Sequence, residues 1–372
     1  MTKKTIYDIA KDLNLAPSTI SKVINHKGNV SEVTRKRVLD YVKKVGYVPV
    51  TSARMLKSGR SYTIGVVFTE ELNIGLEHTF FSSLLQHFKT YAERQGYELS
   101  FIVSQLGTHK MSYYEWCINK KVDGVYIVVG DYDDEGIIEL ANKDIPVVSN
   151  DILIEGVKTF ISNNQQGVYI ALDFLTKEAK LDKIGMISGP LNSKAFKMRY
   201  DAFMKYMKEN NLEFNPKHIQ ESKSFGFTTG YQAMEKMIKE CKELPQGLVV
   251  GSDDLAVGVL RCLHDHNIKV PEDIQVIGFD DINISRLITP SLSTVKQDTI
   301  KLGEAAAASL IKMIEDPTFK VPDIVELPVS LVLRETTKKY WNRFHYVVWY
   351  NCMNKGNRFP IFNKIKGSLD AN

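Results

Sequence analysis

Residues 5–25 read Thr5-Ile-Tyr-Asp-Ile-Ala-Lys-Asp-Leu-Asn-Leu-Ala-Pro-Ser-Thr-Ile-Ser-Lys-Val-Ile-Asn25, and this stretch decides the fold of the amino-terminal region. Its apolar residues from Ile6 to Leu13 recur at the spacing of one helical face, which predicts a short helix. Pro17 predicts the start of a second helix, because its missing N–H costs nothing at the first helical position. Two short helices joined by a tight turn predict a helix-turn-helix, whose second helix enters the major groove of DNA.

The predicted second helix has two contrasting faces. Ile20 and Val23 would point inward, whereas the outer face carries small and polar residues with one cation, Lys22, and no acid. Such a face is typical of contact with DNA. A small helical hairpin inside a core is the alternative interpretation, and the basic surroundings of the stretch disfavour it.

Charge is distributed unevenly along the 372 residues. Residues 1–60 hold 13 Lys and Arg against 4 Asp and Glu, and residues 338–372 hold 7 against 1. The segment between them holds 28 bases and 39 acids. A basic head on an acidic body is typical of a nucleic-acid-binding domain joined to a separate sensing domain.

Length and composition predict two or three folded domains with ample apolar cores, since 44% of the residues are hydrophobic. No apolar run approaches the length of a membrane span, and the amino terminus lacks a signal peptide, so we expect a cytoplasmic protein without membrane partners. The cysteines are scattered and predict free thiols instead of disulfides or a zinc site, and no cofactor is expected. They are Cys117, Cys241, Cys262 and Cys352.

A third helix is predicted after Ser31, which is a suitable N-cap, and Gly46 is predicted to end it. Valines recurring on one face would form its buried stripe. Thr34 and the three cations after it crowd the first turn, where positive charge opposes the helix dipole. Contact with phosphates explains these cations better than helix stability does.

Residues 5–60 closely resemble the lactose/galactose repressor (LacI/GalR) family of bacterial transcription regulators, and the resemblance continues to about residue 337. It implies a repressor that binds a pseudo-palindromic operator in double-stranded DNA as a homodimer, with an affinity set by a small effector. The matching segments are Thr5-Ile-Tyr-Asp-Ile-Ala10, Ser18-Thr-Ile-Ser-Lys-Val-Ile-Asn25, Val30-Ser31, Thr34-Arg35, Gly46-Tyr-Val-Pro49 and Ala53-Arg-Met-Leu56.

The resemblance also implies roles for individual residues of the head. Pro17, Ser18 and Lys22 match base-reading positions. The family usually has arginine where this chain has Lys22, and lysine lacks the planar fork that grips guanine, so base discrimination there is expected to be weaker or different. Phosphate contacts are implied for Thr5, Tyr7, Thr19, Ser21, Asn25, Ser31, Thr34 and Tyr47.

Residues 50–60 predict a helix that is too short to be stable alone, followed by a linker. The resemblance implies a hinge helix, in which Ala53 and Leu56 reach the minor groove and Leu56 wedges between base steps. A plain interdomain linker is the alternative, because Ser58-Gly59 is ordinary linker chemistry.

From residue 62 onward, short apolar runs alternate with helical stretches, which predicts parallel sheets covered by helices. The theme occurs twice, so the predicted fold is an all-α helix-turn-helix domain followed by an α/β, two-lobed, periplasmic-binding-protein-like core of doubly wound sheets. The predicted boundaries are 1–49 for the head, 50–60 for the hinge, 61–337 for the core and 338–372 for a tail. Within the core, the predicted N-lobe comprises about 61–162 and 294–325. The predicted C-lobe comprises about 163–290 and 326–337.

Ligands of such sheets bind outside the carboxyl ends of the strands, and we expect a cleft between the lobes. Carboxylates and an arginine can hold neighbouring hydroxyls, and aromatic rings can cover a sugar, so a sugar effector is favoured over a purine. A purine corepressor or control by a phosphocarrier protein remains the alternative, and an aspartate here can instead cap a helix. By resemblance, effector contacts are implied for Phe80, Phe81, Asp151, Arg199, Phe225, Ser252, Asp253, Asp280 and Gln297.

An enzyme is not expected, because the nucleotide-binding, zinc-protease and nucleophile-elbow motifs are missing. The pairs Asp253-Asp254 and Asp280-Asp281 are adjacent residues whose side chains point apart, so each pair offers one carboxylate to a cleft.

The tail, residues 338–372, interleaves bases with eight aromatic residues. An additional nucleic-acid contact is one interpretation. A disordered extension is favoured, because termini that are not tied to a sheet are usually disordered, and no site is assigned there.

Overall fold

The computed structural model describes residues 4–24, 28–47, 59–68, 76–129, 134–150 and 153–338. The chain divides into two compact units. The first unit comprises Met1–Ile161 and Thr299–Val325, and the second comprises Ser162–Asp298 and Glu326–Asn372. None of the described helices is both long and apolar enough to cross a membrane.

The head consists of three helices, α1 (Ile6–Leu13), α2 (Pro17–Ile24) and α3 (Glu32–Val45). They enclose a small apolar core that includes Ile9, Ile20 and Val38, each without exposed surface. The predicted helix-turn-helix and third helix are therefore confirmed.

The remaining elements alternate between helices and strands. The helices are α4 (Thr79–Arg94), α5 (Tyr113–Lys120), α6 (Glu135–Ala141), α7 (Asn164–Asp173), α8 (Lys194–Glu209), α9 (Phe227–Glu240), α10 (Asp253–Asp265) and α11 (Thr299–Glu315). The strands are β1 (Thr63–Phe68), β2 (Glu98–Ile102), β3 (Gln105–Leu106), β4 (His109–Lys110), β5 (Gly124–Val129), β6 (Val147–Asn150), β7 (Lys158–Ser162), β8 (Ile184–Ser188), β9 (Ile219–Glu221), β10 (Gly247–Val250), β11 (Gln275–Asp280), β12 (Ser293–Lys296), β13 (Ile324–Leu327) and β14 (Ser330–Val332).

Two six-stranded sheets organise these elements, in the orders β13-β7-β6-β5-β1-β2 and β14-β12-β11-β10-β8-β9. The strands β1, β2, β5, β6 and β7 pair in parallel, and so do β8 to β12. Among the described pairings of the second sheet, the edge pair β12–β14 is antiparallel. The predicted doubly wound parallel architecture is confirmed.

The crossing between units differs from the predicted boundary. The sequence assigned residues from about 294 to the first lobe, whereas residues 294–298 lie in the second unit. The reason is β12, which pairs in parallel with β11 although it reads Ser-Thr-Val-Lys. Its buried Ser293 and Thr294 bond to Thr337 and Asp253, so this polar strand gave no apolar signal in the sequence.

Candidate nucleic-acid interface and effector site

Helices α1 and α3 of the head begin and end at recognisable caps. Thr5 and Asp8 form a capping box at the start of α1, and Asn14 ends this helix in the left-handed conformation. Ser31 accepts the backbone N–H of Thr34 and begins α3, as predicted. Gly46 ends α3 with φ 62°, a conformation that glycine adopts without strain.

The residues predicted to read bases share one exposed face of α2. Pro17, Ser18 and Lys22 are exposed, whereas Ile20 and Val23 on the other side of the helix are buried. The apolar side fixes the helix to the head, and the polar side is left exposed. The arrangement suits insertion of α2 into a groove of DNA.

The predicted phosphate contacts fall into three structural groups. Tyr7 is 75% exposed, and its hydroxyl lies on the surface of the head. The hydroxyls of Thr5 and Ser31 accept capping hydrogen bonds from backbone N–H groups, and the Thr34 hydroxyl accepts from the Ser31 hydroxyl, so all three take part in helix starts in addition to any contact with DNA. Thr19, Ser21 and Tyr47 are half-buried, and Asn25 lies outside the described residues.

A polar cluster that the sequence analysis missed ties α1 to α3. Lys4 and the Tyr41 hydroxyl both donate to the Asp12 carboxylate, the latter at 2.6 Å, and Lys4 also lies 3.0 Å from the Tyr41 oxygen. These hydrogen bonds hold the pKa of Asp12 below its usual value. The three residues are widely separated in sequence, so no local pattern indicates the cluster.

Most of the predicted hinge, residues 50–58, lies outside the described residues. Ala53 and Leu56, predicted to reach the minor groove, lie outside the described residues. The chain is described again from Gly59, and the Arg60 guanidinium donates to the Glu315 carbonyl at 3.0 Å. This hydrogen bond fixes the start of the first sheet's unit to the end of α11.

The candidate effector site is the carboxyl edge of the second sheet, where β8, β10, β11 and β12 end side by side. Here the structure brings together Arg199, Asp280 and Gln297, three of the predicted effector contacts. All three side chains are buried in the second unit.

Arg199 projects from α8 and is held on several sides. Its Nε donates to Asn164 Oδ1 at 2.8 Å, and its Nη1 donates to the Gly251 carbonyl at 2.6 Å. The guanidinium lies 3.8 Å from the centre of the Phe279 ring, a cation–π contact. Asn164 and Phe279 were not identified from the sequence, because their connection to Arg199 spans distant parts of the chain.

Asp280 ends β11 and is the acidic partner at this edge. Its Oδ1 accepts from Gln297 Nε2 at 2.6 Å and lies 3.7 Å from Arg199 Nη1. Burial raises the pKa of Asp280 well above its ordinary value, and the positive charge of Arg199 opposes this rise. Its neighbour Asp281 instead accepts from Arg334 at 2.5 Å, so the two carboxylates serve different partners.

Two buried polar atoms at this edge have no hydrogen-bond partner among the described residues. They are Ser188 Oγ, at the end of β8, and Gln297 Oε1, just beyond β12. A buried polar atom without a partner is costly, and a polar ligand would remove that cost. The edge therefore offers hydrogen-bonding capacity that the protein itself does not use.

Two aromatic rings lie beside this edge. Phe225, a predicted contact, is half-buried, and its ring centre lies 5.5 Å from that of Phe196. Phe196 was missed, and the two glycines beside it are the sequence feature that could have indicated it. A Cβ on Gly189 would lie 2.4 Å from the Phe196 ring, and a Cβ on Gly251 would lie 2.9 Å from it. Glycine directly after β8 and close after β10 makes room for this ring.

Ser252 and Asp253, two of the predicted effector contacts, also make hydrogen bonds within the second unit. Ser252 is the N-cap of α10 and accepts the backbone N–H of Leu255 at 3.4 Å. Asp253 has no exposed surface, and both of its carboxylate oxygens accept hydrogen bonds within the second unit. Asp253 therefore has internal hydrogen bonds to both oxygens, and its contact with an effector stays a prediction.

The predicted contacts of the first unit include two phenylalanines of α4. Phe80 is only 4% exposed in α4, so it packs chiefly as a core residue. Phe81 is half-buried, with its ring centre 5.3 Å from that of Phe80. Asp151 lies outside the described residues.

A cavity of about 610 Å³ lies at the opposite, amino edge of the second sheet. Its polar lining mixes lysines with glutamates, and Lys183 pairs with Glu243 at 2.5 Å. These opposed charges satisfy each other, and none of the predicted effector residues lines the cavity. The described residues also contain no group of three or more His, Cys, Asp or Glu side chains arranged for a metal ion.

Comparison with known protein families gives two matches. The model of bacterial regulatory proteins of the lacI family matches residues 5–50, and that of the periplasmic binding protein-like domain matches residues 175–337. The HTH-type transcriptional repressor PurR of Histophilus somni (strain 129Pt) is 32% identical over 338 residues, which are 90% of this chain and 99% of that protein. PurR of Pasteurella multocida (strain Pm70) is 31% identical over 338 residues, or 90% of this chain and 98% of that protein.

Solved structures give a matching result. The lac repressor dimer bound to operator and the anti-inducer ONPF has a TM-score of 0.74 and 25% identity, covering 90% of this chain and 99% of that chain. The complex of the transcriptional regulator CelR with cellobiose has a TM-score of 0.65 and 22% identity, covering 90% and 100%, and shows the shared fold.

Proposed function

We propose a function for this chain from the premise that it belongs to the lacI family of bacterial regulatory proteins and is a DNA-binding transcription repressor and not an enzyme. Its affinity for a pseudo-palindromic operator is set by a small polyhydroxylated effector. The repressor would bind as a homodimer, so that two heads meet two half-sites.

The exposed polar face of α2 supports the DNA-binding part of the proposal. Ser18 and Lys22 stand clear of the apolar core that anchors the helix, so they can reach base edges without disturbing the head. Hydroxyls at the starts of α1 and α3 would then fix the register on the phosphates.

The carboxyl edge of the second sheet supports the effector part. Arg199, Asp280 and Gln297 are buried together, and Gln297 Oε1 and Ser188 Oγ still lack partners among the described residues. Charged and amide groups of this kind can bind neighbouring hydroxyls of a sugar with paired hydrogen bonds. This set of buried polar groups is the single observation that carries the sugar assignment.

A purine is the second candidate effector. The relatives reported above are repressors named PurR, and the half-buried ring of Phe225 offers a face on which a flat base can stack. The first candidate predicts that a sugar binds at the carboxyl edge of the second sheet, and the second predicts that a purine binds there.

Titration calorimetry separates the two classes. We expect heat with at least one sugar of a panel containing galactose, ribose and cellobiose, and none with guanine, hypoxanthine or adenine. Heat with a purine alone would replace the sugar by the second candidate, and binding of a phosphocarrier protein without heat from any small molecule would remove the effector proposal altogether.

Gel-shift competition tests the DNA-binding part. We expect the purified protein to prefer a promoter fragment with two half-sites over both a single half-site and random competitor, with an affinity that falls steeply as salt rises. Equal binding to all three DNAs, or an affinity that does not respond to salt, would contradict the proposal.

A further inference from the structure

Asp253 begins α10 directly after β10 and is completely enclosed in the second unit. Its Oδ1 accepts the Thr294 hydroxyl at 2.6 Å. Its Oδ2 accepts the Ser285 hydroxyl at 2.6 Å and the Ile282 backbone N–H at 3.1 Å. The carboxylate is therefore committed to three internal donors.

The residues just before Ile282 have an unusual backbone. Asp280 has φ 124° and Asp281 has φ 58°, both in the region that normally favours glycine. Such conformations are unfavourable for residues other than glycine and persist only where the surroundings enforce them. Since Ile282 is the next residue, its hydrogen bond to Asp253 fixes the chain where the strained pair ends.

The same carboxylate also lies against the strand that precedes the pair. A Cβ on Gly278 would lie only 2.2 Å from Asp253 Oδ1, so the carboxylate packs directly on the β11 backbone. Gly278 is paired with Thr294, which donates to the same oxygen. Asp253 thus contacts the chain both before and after Asp280 and Asp281.

We propose that Asp253 is a positioning residue, whose carboxylate imposes the left-handed backbone of Asp280 and Asp281 and thereby directs Asp280 toward Arg199 and Gln297. Asp281 is directed the other way, toward Arg334. The consequence for effector binding rests on the proposed function, whereas the backbone role does not depend on it.

Hydrogen–deuterium exchange of the ligand-free protein tests the backbone role. In Asp253→Asn, one carboxylate oxygen becomes a donor, and we expect amide exchange across residues 279–287 to quicken at least tenfold while residues 255–263 of α10 keep their rate. Asp254→Asn, the adjacent acid, is the matched control and should exchange like the wild type. Unchanged exchange at 279–287, or an equal increase throughout the second unit, would overturn the proposal.

Calorimetry with galactose and guanine as probes tests the consequence for binding. Asp253→Asn should weaken the Kd of whichever probe binds the wild type at least tenfold, and Ser285→Ala, which removes one hydrogen bond to the carboxylate, should weaken it several-fold. Wild-type affinity in Ser285→Ala together with loss in Asp253→Asn would show that Asp253 acts by direct contact. If neither probe binds the wild type, those effector assignments fail, and the exchange experiment still decides the positioning role.

Discussion

The recognition helix α2 and the carboxyl edge of the second sheet present polar side chains in opposite ways. On α2, Ser18 and Lys22 are exposed, and the helix is anchored from its other side by apolar residues. At the sheet edge, Arg199 and Asp280 are buried and depend on each other and on their neighbours. An exposed residue that contacts bases can be substituted with little loss of unfolding free energy. A buried polar residue contributes both to stability and to ligand recognition.

Replacing Arg199 should show the largest effect on stability. Arg199→Met keeps much of the side-chain length but removes the buried cation beside Asp280 and the donors to Asn164 and the Gly251 carbonyl, so we expect about 3 kcal/mol of lost unfolding free energy. Urea unfolding followed by circular dichroism measures it.

The same helix provides a control. Lys197 pairs with Asp201 at 2.5 Å on the surface of α8, and Lys197→Met should change the unfolding free energy by less than about 0.5 kcal/mol. Equal losses in the two variants would mean that burial at the sheet edge does not distinguish Arg199 from a surface cation.

Stability should also respond to pH through the buried carboxyls. Burial raises the pKa of Asp253 to about 7 and that of Asp280 well above its usual value, so the folded state holds these protons more tightly than the unfolded chain. Their contribution to the unfolding free energy is therefore most favourable below about pH 4 and is lost as pH rises toward 7. Arg199, Asp254 and Asp281 are the charged groups that act on the pair.

Asp253→Asn isolates this effect. Relative to the wild type, its unfolding free energy should decline less between pH 4.5 and pH 7.5, by up to about 3 kcal/mol at 1.36 kcal/mol for each pKa unit. Urea titrations at a series of pH values give the two curves, and curves that run parallel would refute the assignment. Variants of the exposed α2 face, such as Ser18→Ala, should leave the pH profile unaltered.

Lys22→Ala tests the exposed side of the comparison. A good base contact gives about 1–3 kcal/mol of discrimination, so specific operator affinity should fall roughly 10- to 100-fold while the unfolding free energy stays within about 0.5 kcal/mol of the wild type. Fluorescence anisotropy with operator and random DNA measures the change.

Lys36 is one of the three cations in the first turn of α3 that are expected to contact phosphates, and Lys36→Ala is the matched variant. It should weaken binding to operator and random DNA alike and reduce the slope of log affinity against log salt by about one. The base-reading role of Lys22 would be lost if the two lysine variants showed the same uniform weakening.

Local patterns predicted the head well, because caps and helical periodicity depend on residues within one or two turns. Ser31 and Gly46 bound α3 as expected, and Pro17 begins α2. The site at the sheet edge was predicted only in part. Asp253 was assigned to the effector by resemblance to the family. Its internal donors, Ser285 and Thr294, lie more than thirty positions away along the chain, so no local pattern indicated them.

Arg199 illustrates the same limit of sequence reasoning. Its residue type indicated a polar contact, but the stacking on Phe279 and the bond to Asn164 depend on how α8 packs beside β11 and α7. The polar strand β12 was missed because its buried hydroxyls are satisfied by hydrogen bonds instead of apolar packing. Hydrogen bonds between buried polar residues that are far apart in the chain produce no recognisable pattern in a single sequence.

The smallest expected effect separates capping from DNA contact at Ser31. Ser31→Ala removes the N-cap of α3 and should cost about 1 kcal/mol of unfolding free energy in the head. Ser31→Asp keeps a capping oxygen and favours the helix dipole, so its stability should match the wild type, whereas its negative charge should weaken operator binding several-fold if a phosphate lies nearby. Thermal unfolding and fluorescence anisotropy measure the two quantities separately. Wild-type operator affinity in Ser31→Asp would contradict a phosphate contact by Ser31. The role of this residue would then be to cap α3, and it would not belong to the DNA-contacting surface of the head.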